Sequence, residues 1–166
     1  VTGGGDKTVR LWQQPPSGGY GMPTQLLKVD VKCVPLDIMD VMLSEKFILG
    51  SNLGNLVEVA LQVDKNMPSH RHPRTLLSGH SGSISVVAAH PTKRIIATTS
   101  NDKTVRIWDV EQHKLIAMAR LTHRGLCADW SASGKLLAIG LANAILVVLK
   151  VTRSGKKLEI AFEKSL

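Results

Sequence analysis

Aromatic side chains and cysteines are scarce in this chain of 166 residues. Aromatic residues make up 4% of it, too few for the stacking platform of a single-strand nucleic-acid binder. Two cysteines, Cys33 and Cys127, rule out a disulfide scaffold and a four-cysteine zinc site, so a reducing, cytosolic setting is the simplest interpretation. The most apolar window, Leu136 to Val151, is shorter than the roughly 20 residues of a membrane helix. We therefore expect no membrane-spanning segment.

The remaining composition is that of a folded protein with an excess of positive charge. The hydrophobic fraction is 43% and the charged fraction 20%, which is too apolar for a disordered chain. There are 21 Lys and Arg residues against 13 Asp and Glu residues, a formal net charge of +8. The length alone favours one domain, and the charge favours an acidic partner.

Two stretches of the sequence are nearly the same string. GDKTVRLW ends at Trp12 and NDKTVRIW ends at Trp108, so the two copies lie 96 residues apart, about twice a period of 40–50 residues. Weaker copies stand at Gly54–Val59 and Asn143–Val148. The last residues of the four copies are 47, 49 and 40 residues apart, which indicates a repeat array.

Within each period, short runs of Val, Ile and Leu alternate with turn residues, and this pattern predicts antiparallel strands. Asn101 and Asp102 suit a hairpin bend because both residue types tolerate a left-handed backbone. No long helical stripe interrupts the pattern. The strands predicted for the third and fourth repeats are Ser83–His90, Arg94–Ser100, Thr104–Val110, Lys114–Leu121, Gly125–Ser131, Leu136–Leu141, Ala144–Val151 and Leu158–Glu163.

Four strands per period of about 40–45 residues is the blade of a WD40 β-propeller, and the third repeat resembles that family. Gly79-His80 and Trp108-Asp109 stand at its Gly-His and Trp-Asp positions. The resemblance implies a buried hydrogen-bond chain that joins the following residues: His80, one of Thr99 or Ser100, Asp102 and Trp108. The first repeat keeps only Asp6 and Trp12 of this set.

The resemblance implies an all-β WD40 β-propeller fragment of about three and a half four-stranded antiparallel blades. The expected units are the second half of a first blade (1–32), an atypical blade (33–78), a WD40 blade (79–122) and a second atypical blade (123–166). Because Val1-Thr2-Gly3 matches the end of a second strand, we expect the sequence to be a fragment of a longer protein.

A narrower resemblance is to the echinoderm microtubule-associated protein-like family. It rests on Lys114–Val151 and on KFILGSNLGNLVEV at Lys46–Val59. That family builds tandem propellers with atypical blades that lack Trp-Asp, as do the second and fourth repeats here. The resemblance implies a non-catalytic scaffold that binds tubulin, microtubules or associated proteins and is located in the cytoplasm, on the cytoskeleton. The alternative is a WD40 interaction subunit of an unrelated complex, such as a ubiquitin ligase or an RNA-processing assembly.

Two motifs suggest small ligands but fit structural roles better. Gly3–Thr8 looks like a phosphate loop, yet Asp6 occupies the place where that loop needs glycine, and a strand follows instead of a helix. His70 and His72 are too few for a zinc site, and prolines flank them. The sequence shows no pairing of a nucleophile with a base, so we expect no enzyme, no cofactor, no metal and no small-molecule substrate.

Basic residues cluster in two expected loops. The residues singled out are Arg71 and Arg74, within the segment from Lys65 to Arg74 of the second repeat, and Arg153, Lys156 and Lys157 of the fourth. Lys93 and Arg94 lie on another turn. Singly, such residues are usually no more than solvated, but together they suit a polyanion, either an acidic protein surface or a nucleic-acid backbone. The low aromatic content and the family resemblance favour the acidic protein.

Overall fold

The described part of the chain, in a computed structural model, is built from β-strands. It comprises residues 1–15, 21–40, 46–60, 73–154 and 157–165. Strands and turns account for all of the regular structure in these ranges, which confirms the all-β prediction. Of these residues, none belongs to a helix long and apolar enough to cross a membrane.

The strands form antiparallel sheets that follow one another along the chain. Sheet 1 has three strands and sheets 2, 3 and 4 have four each, and within every sheet the strands pair in chain order. The strands are β1 (Thr2–Gly4), β2 (Thr8–Gln13) and β3 (Thr24–Asp30) in sheet 1; β4 (Pro35–Asp40), β5 (Lys46–Ser51), β6 (Asn55–Ala60) and β7 (Arg74–Ser78) in sheet 2; β8 (Ile84–Ala89), β9 (Ile95–Ser100), β10 (Thr104–Asp109) and β11 (Lys114–Arg120) in sheet 3; and β12 (Gly125–Trp130), β13 (Leu136–Leu141), β14 (Leu146–Ser154) and β15 (Lys157–Ser165) in sheet 4.

One tight turn recurs in all four sheets. Its left-handed residue is Lys7, Gly54, Lys103 or Ala144, with φ of 61°, 76°, 59° and 64°. In each copy the N–H of this residue donates to the carbonyl three residues earlier, at 3.0–3.2 Å. The two nearly identical strings therefore mark the same local structure as the weak copies, because the backbone geometry of the turn is shared even where its side chains differ.

The two central strands of sheet 3, β9 and β10, present alternate residues to the two neighbouring sheets, as the two-residue period of a strand requires. Ile96 and Trp108 pack with residues of sheet 2, whereas Ala97 and Ile107 pack with residues of sheet 4. A third apolar cluster, which includes Val9, joins sheets 1 and 2. The core is thus a series of layers between successive sheets.

The first strands of successive sheets lie side by side, with β8 in contact with both β4 and β12. Two polar contacts join these strands. Asp37 of β4 accepts the backbone N–H of Val87 at 2.6 Å, and the indole N–H of Trp130 donates to the carbonyl of Ala88 at 3.2 Å. These bonds fix the sheets relative to one another around the row formed by their first strands.

The ends of the strands form two faces. Face A carries the recurring turn and the connections from each sheet to the next, such as 79–83 and 121–124. Face B is the opposite end of the sheets, where in each four-stranded sheet the first strand ends and the second begins, and the third ends and the fourth begins. Each four-stranded sheet begins and ends on face A, so the loops of successive sheets keep the same orientation.

Candidate interaction faces

A chain of hydrogen bonds crosses the layer between sheets 2 and 3. The indole N–H of Trp108 donates to Thr98 Oγ1 at 2.8 Å, and Thr98 Oγ1 lies 2.7 Å from His80 Nε2. On the other side of the ring, His80 Nδ1 lies 2.9 Å from Asp102 Oδ2. Trp108 and Thr98 are 3% and 0% exposed, so these bonds are shielded from water.

A neutral imidazole at His80 satisfies every hydrogen bond of this chain. If the Thr98 hydroxyl accepts from Trp108 and donates to Nε2, then Nδ1 carries the proton and donates to the carboxylate of Asp102. Burial lowers the pKa of His80 below its ordinary value, more than Asp102 raises it. Burial alone raises the pKa of Asp102, but hydrogen bonds from Thr104 and His80 outweigh it and lower the pKa to about 2.

The hydroxyl that joins His80 to Trp108 belongs to Thr98, so the prediction of Thr99 or Ser100 for this position is wrong. Thr99 points to the opposite side of β9, where its hydroxyl lies 3.4 Å from the carbonyl of Gly125 in sheet 4. Ser100 lies on the same side as Thr98 but nearer face A. Its hydroxyl donates to the carbonyl of Gly82 and accepts the N–H of Asp102. Strand alternation and distance along the strand separate the three hydroxyls.

Sheet 1 repeats part of this arrangement 96 residues earlier in the chain. The indole N–H of Trp12 donates to Thr2 Oγ1 at 2.8 Å, as Trp108 does to Thr98. Asp6 accepts the hydroxyl of Thr8 and pairs with Arg10, as Asp102 does with Thr104 and Arg106. Trp12 is nevertheless 38% exposed. The repeated string therefore predicts the side-chain bonds of the turn but not the burial around them.

The strands that flank the two predicted basic loops, the third and fourth strands of sheets 2 and 4, meet these loops at face B. Arg74 begins β7, is exposed and stands opposite Glu58 in the β6–β7 register. Arg71 and Lys156 lie outside the described residues. For Arg153 and Lys157 the backbone is described, at the ends of β14 and β15.

The β14–β15 hairpin extends beyond the rest of sheet 4. Pairing of β13 with β14 ends at Leu136 and Lys150, whereas β14 and β15 continue to pair as far as Ser154 and Lys157. The N–H of Val151 still donates to the carbonyl of Lys135, so the last three residues of β14 form a two-stranded ribbon with β15, about 10 Å long at about 3.3 Å per residue. The ribbon carries the backbone of Arg153 and Lys157 outward from face B.

Face B also carries a basic turn between β8 and β9. Lys93 and Arg94 are exposed, and Arg94 lies 3.3 Å from Glu111 in a pair whose side chains are 62% and 68% exposed. The turn is rigid because His90 Nδ1 accepts the backbone N–H groups of Thr92 and Lys93. The sequence indicated the two basic residues but not the buried histidine that organises them.

The described residues contain no group of three or more His, Cys, Asp or Glu side chains that could hold a metal ion. Cys33 is buried and Cys127 exposed, and burial raises the pKa of the Cys33 thiol. What the described part of the chain offers for recognition is its two faces of turns and loops on a rigid frame of sheets.

Residues 71–109 match the family model "WD domain, G-beta repeat". The segment begins in the connection before β7 and ends with Asp109, so it contains the complete hydrogen-bond chain of sheet 3. The structure is similar to the WD40 domain of Toxoplasma gondii coronin, with a TM-score of 0.62 and 21% sequence identity, over 70% of this chain and 30% of that one. The prediction of a WD40 β-propeller fold is confirmed.

Two curated relatives point to a narrower group. Echinoderm microtubule-associated protein-like 3 of Homo sapiens is 32% identical over 74 residues, which is 45% of this chain and 8% of the relative. The 77 kDa echinoderm microtubule-associated protein of Strongylocentrotus purpuratus is 27% identical over 149 residues, 90% of this chain and 20% of the relative. The chain spans a fifth or less of either protein. Residues 71–109 thus match a WD40 repeat within a chain of WD40 β-propeller fold, and the curated relatives of the chain include echinoderm microtubule-associated protein-like proteins.

Proposed function

We propose that this chain is a non-catalytic WD40 scaffold that binds tubulin or microtubule-associated proteins through face B. The observation that carries the proposal is the shared orientation of the basic connections. The strands on either side of the β6–β7 and β14–β15 connections, like those on either side of the β8–β9 turn, meet at face B. The sequence similarity to microtubule-associated relatives supports the choice of partner.

The mechanism is electrostatic attraction followed by specific contacts. A chain with a net charge of +8 attracts an acidic protein surface, and complementary charge raises the rate of encounter and orients the partners. Loops held on a rigid scaffold then supply the contacts that distinguish one partner from another. Binding of this kind involves no chemical step, so the proposed role is that of a scaffold. The proposed location is the cytoplasm, on the cytoskeleton.

Co-sedimentation of the intact protein with microtubules at increasing salt tests this proposal. We expect pelleting at low salt that weakens as the salt concentration rises, because exposed charges are screened beyond about 8 Å at physiological ionic strength. Replacement of Arg71 and Arg74 by Gln removes one charge from the β6–β7 connection and one from the first residue of β7, and it should weaken pelleting without unfolding the protein.

Two outcomes would contradict the proposal at different levels. If the intact protein does not pellet with microtubules but co-purifies with a ubiquitin ligase or a ribonucleoprotein, it serves an unrelated complex. If it pellets and the variants with altered face B loops pellet equally well, microtubule binding stands but the binding residues lie elsewhere.

A further inference from the structure

An apolar pocket opens on face B between sheets 2 and 3. Its volume is about 250 Å³, and its lining includes Met39 of β4, Ile95 and Ile96 of β9, and Val110 at the end of β10. Lys93, whose side chain is exposed, also lines it. The pocket therefore combines an apolar interior with exposed cationic groups at its edge.

The walls of this pocket are held in place by the fold. The N–H of Val110 donates to the carbonyl of Arg94 at 3.0 Å, and the N–H of His90 donates to the carbonyl of Ile95 at 3.1 Å. His90 also accepts the N–H groups of Thr92 and Lys93. A partner therefore meets a preformed cavity, which reduces the entropy lost on binding.

The volume and the charge together indicate the kind of occupant. Pockets that hold a small-molecule ligand are usually about 300–1,000 Å³, so this one suits a single side chain better than a complete ligand. Of the nearby carboxylates, Glu111 pairs with Arg94, and Asp109 accepts the N–H groups of Glu111 and Gln112. The pair of Arg94 and Glu111 is exposed and therefore weak, so a partner carboxylate can replace Glu111.

We propose that this pocket is the anchor site for an acidic peptide segment, which inserts one apolar side chain while its flanking carboxylates contact Lys93 and Arg94. The inference rests on the proposed function and deepens it, because it names the feature that an acidic partner must carry besides its charge. The apolar side chain of the peptide determines the specificity of binding, and its carboxylates supply the electrostatic attraction to Lys93 and Arg94.

Fluorescence anisotropy with two labelled nine-residue peptides tests the inference on the intact protein. Both peptides consist of Glu except at the centre, where one has Phe and the other Ala. We expect the Phe peptide to bind about tenfold more tightly, since burial of an aromatic side chain is favourable. Thr92→Phe places a bulky group at the exposed mouth of the pocket and should abolish this preference.

Two charge variants show which face of the protein attracts the acidic peptides. Lys93→Glu on face B should weaken the binding of both peptides about tenfold, whereas Arg124→Glu on face A should leave both affinities unchanged. Arg124 is a suitable control because its side chain is exposed and only its carbonyl is used, by the N–H of Ala142.

The outcomes separate this inference from the proposed function. Equal affinity for the two peptides overturns the pocket even if microtubule pelleting persists, and so does a Phe preference that survives Thr92→Phe. Loss of binding in Arg124→Glu assigns the site to face A and also overturns it. If the intact protein fails to pellet with microtubules but prefers the Phe peptide, the pocket stands and the partner assignment fails.

Discussion

Trp108 and Thr98 lie on adjacent strands of sheet 3, and the indole nitrogen is 2.8 Å from the threonine hydroxyl. The same hydroxyl is 2.7 Å from His80 Nε2. One small side chain thus joins the third strand of this sheet to the connection that precedes its first strand. Because every buried side-chain N or O atom among the described residues has a partner, loss of this hydroxyl would leave buried groups unpaired.

Thr98→Val is expected to destabilise the protein by about 1–3 kcal/mol, the usual cost of leaving a buried polar group without its partner. The control is Thr99→Val in the same strand, whose hydroxyl makes one long bond of 3.4 Å. Urea unfolding of the two variants measures the difference. Equal losses of stability would show that the hydroxyl of Thr98 has no special role.

Asp102→Ala should also cost more stability than Asp129→Ala. Asp102 accepts bonds from His80, from Ser81 and from both the N–H and the hydroxyl of Thr104. Asp129 accepts one bond, from the N–H of the following Trp130. The free energy of unfolding in urea should fall by about 1–3 kcal/mol for Asp102→Ala and by less for Asp129→Ala. The reverse order would contradict the assignment of Asp102 to the buried chain.

The stability of the protein should fall as the pH falls below about 6.5. Burial lowers the pKa of both His80 and His90 from the ordinary value of 6.5. The unfolded chain therefore binds protons more readily than the folded one, and protonation favours unfolding. Urea unfolding between pH 7.5 and 5.5 measures the slope. It should be shallower in His90→Asn, and an unchanged slope would mean that His90 does not contribute.

Gly134→Ala should be strongly destabilising. Gly134 has φ of +67°, and a Cβ there would lie 2.2 Å from His90 Nε2. A left-handed residue with a Cβ costs about 1–2 kcal/mol, and displacement of the His90 ring adds to that. Gly5→Ala is the control, because a Cβ at Gly5 meets no atom within 4 Å. Thermal unfolding should separate the two variants, and equal melting temperatures would refute the contact between the two turns.

Much of the fold was predictable because the residues that repeat along the sequence are those that form the turns. The strings around Asp6 and Asp102 identify a turn with a left-handed residue, and this turn recurs at Gly54 and Ala144, where the string is weak. The strand pattern follows from alternation of apolar and turn residues. The local structure of each sheet can therefore be predicted from the sequence, since the geometry of a turn depends on residues that are adjacent in the chain.

What escaped prediction depends on contacts between sheets. Thr98 is one of three successive hydroxyl residues, and only the packing of β9 against sheet 2 determines which one meets His80. The pocket on face B escaped prediction for the same reason, because Met39 and Val110 are 71 positions apart in the sequence. The basic loops were visible as charge, but their common face follows from the topology.

The assignment of binding to face B is tested most directly by microtubule co-sedimentation of two charge-matched triple variants of the intact protein. One replaces Arg153, Lys156 and Lys157 by Gln on face B. The other removes three charges from face A as Lys7→Asn, Lys103→Asn and Arg124→Gln, with Asn chosen because it tolerates the left-handed backbone of Lys7 and Lys103.

We expect the face B variant to lose most of its microtubule binding at physiological salt, and the face A variant to bind like the unmodified protein. Both should unfold at the same urea concentration as the unmodified protein, since all six side chains are expected on exposed turns or at the hairpin tip. Normal binding by the face B variant, or an equal loss in both, would contradict the assignment of the interaction to face B.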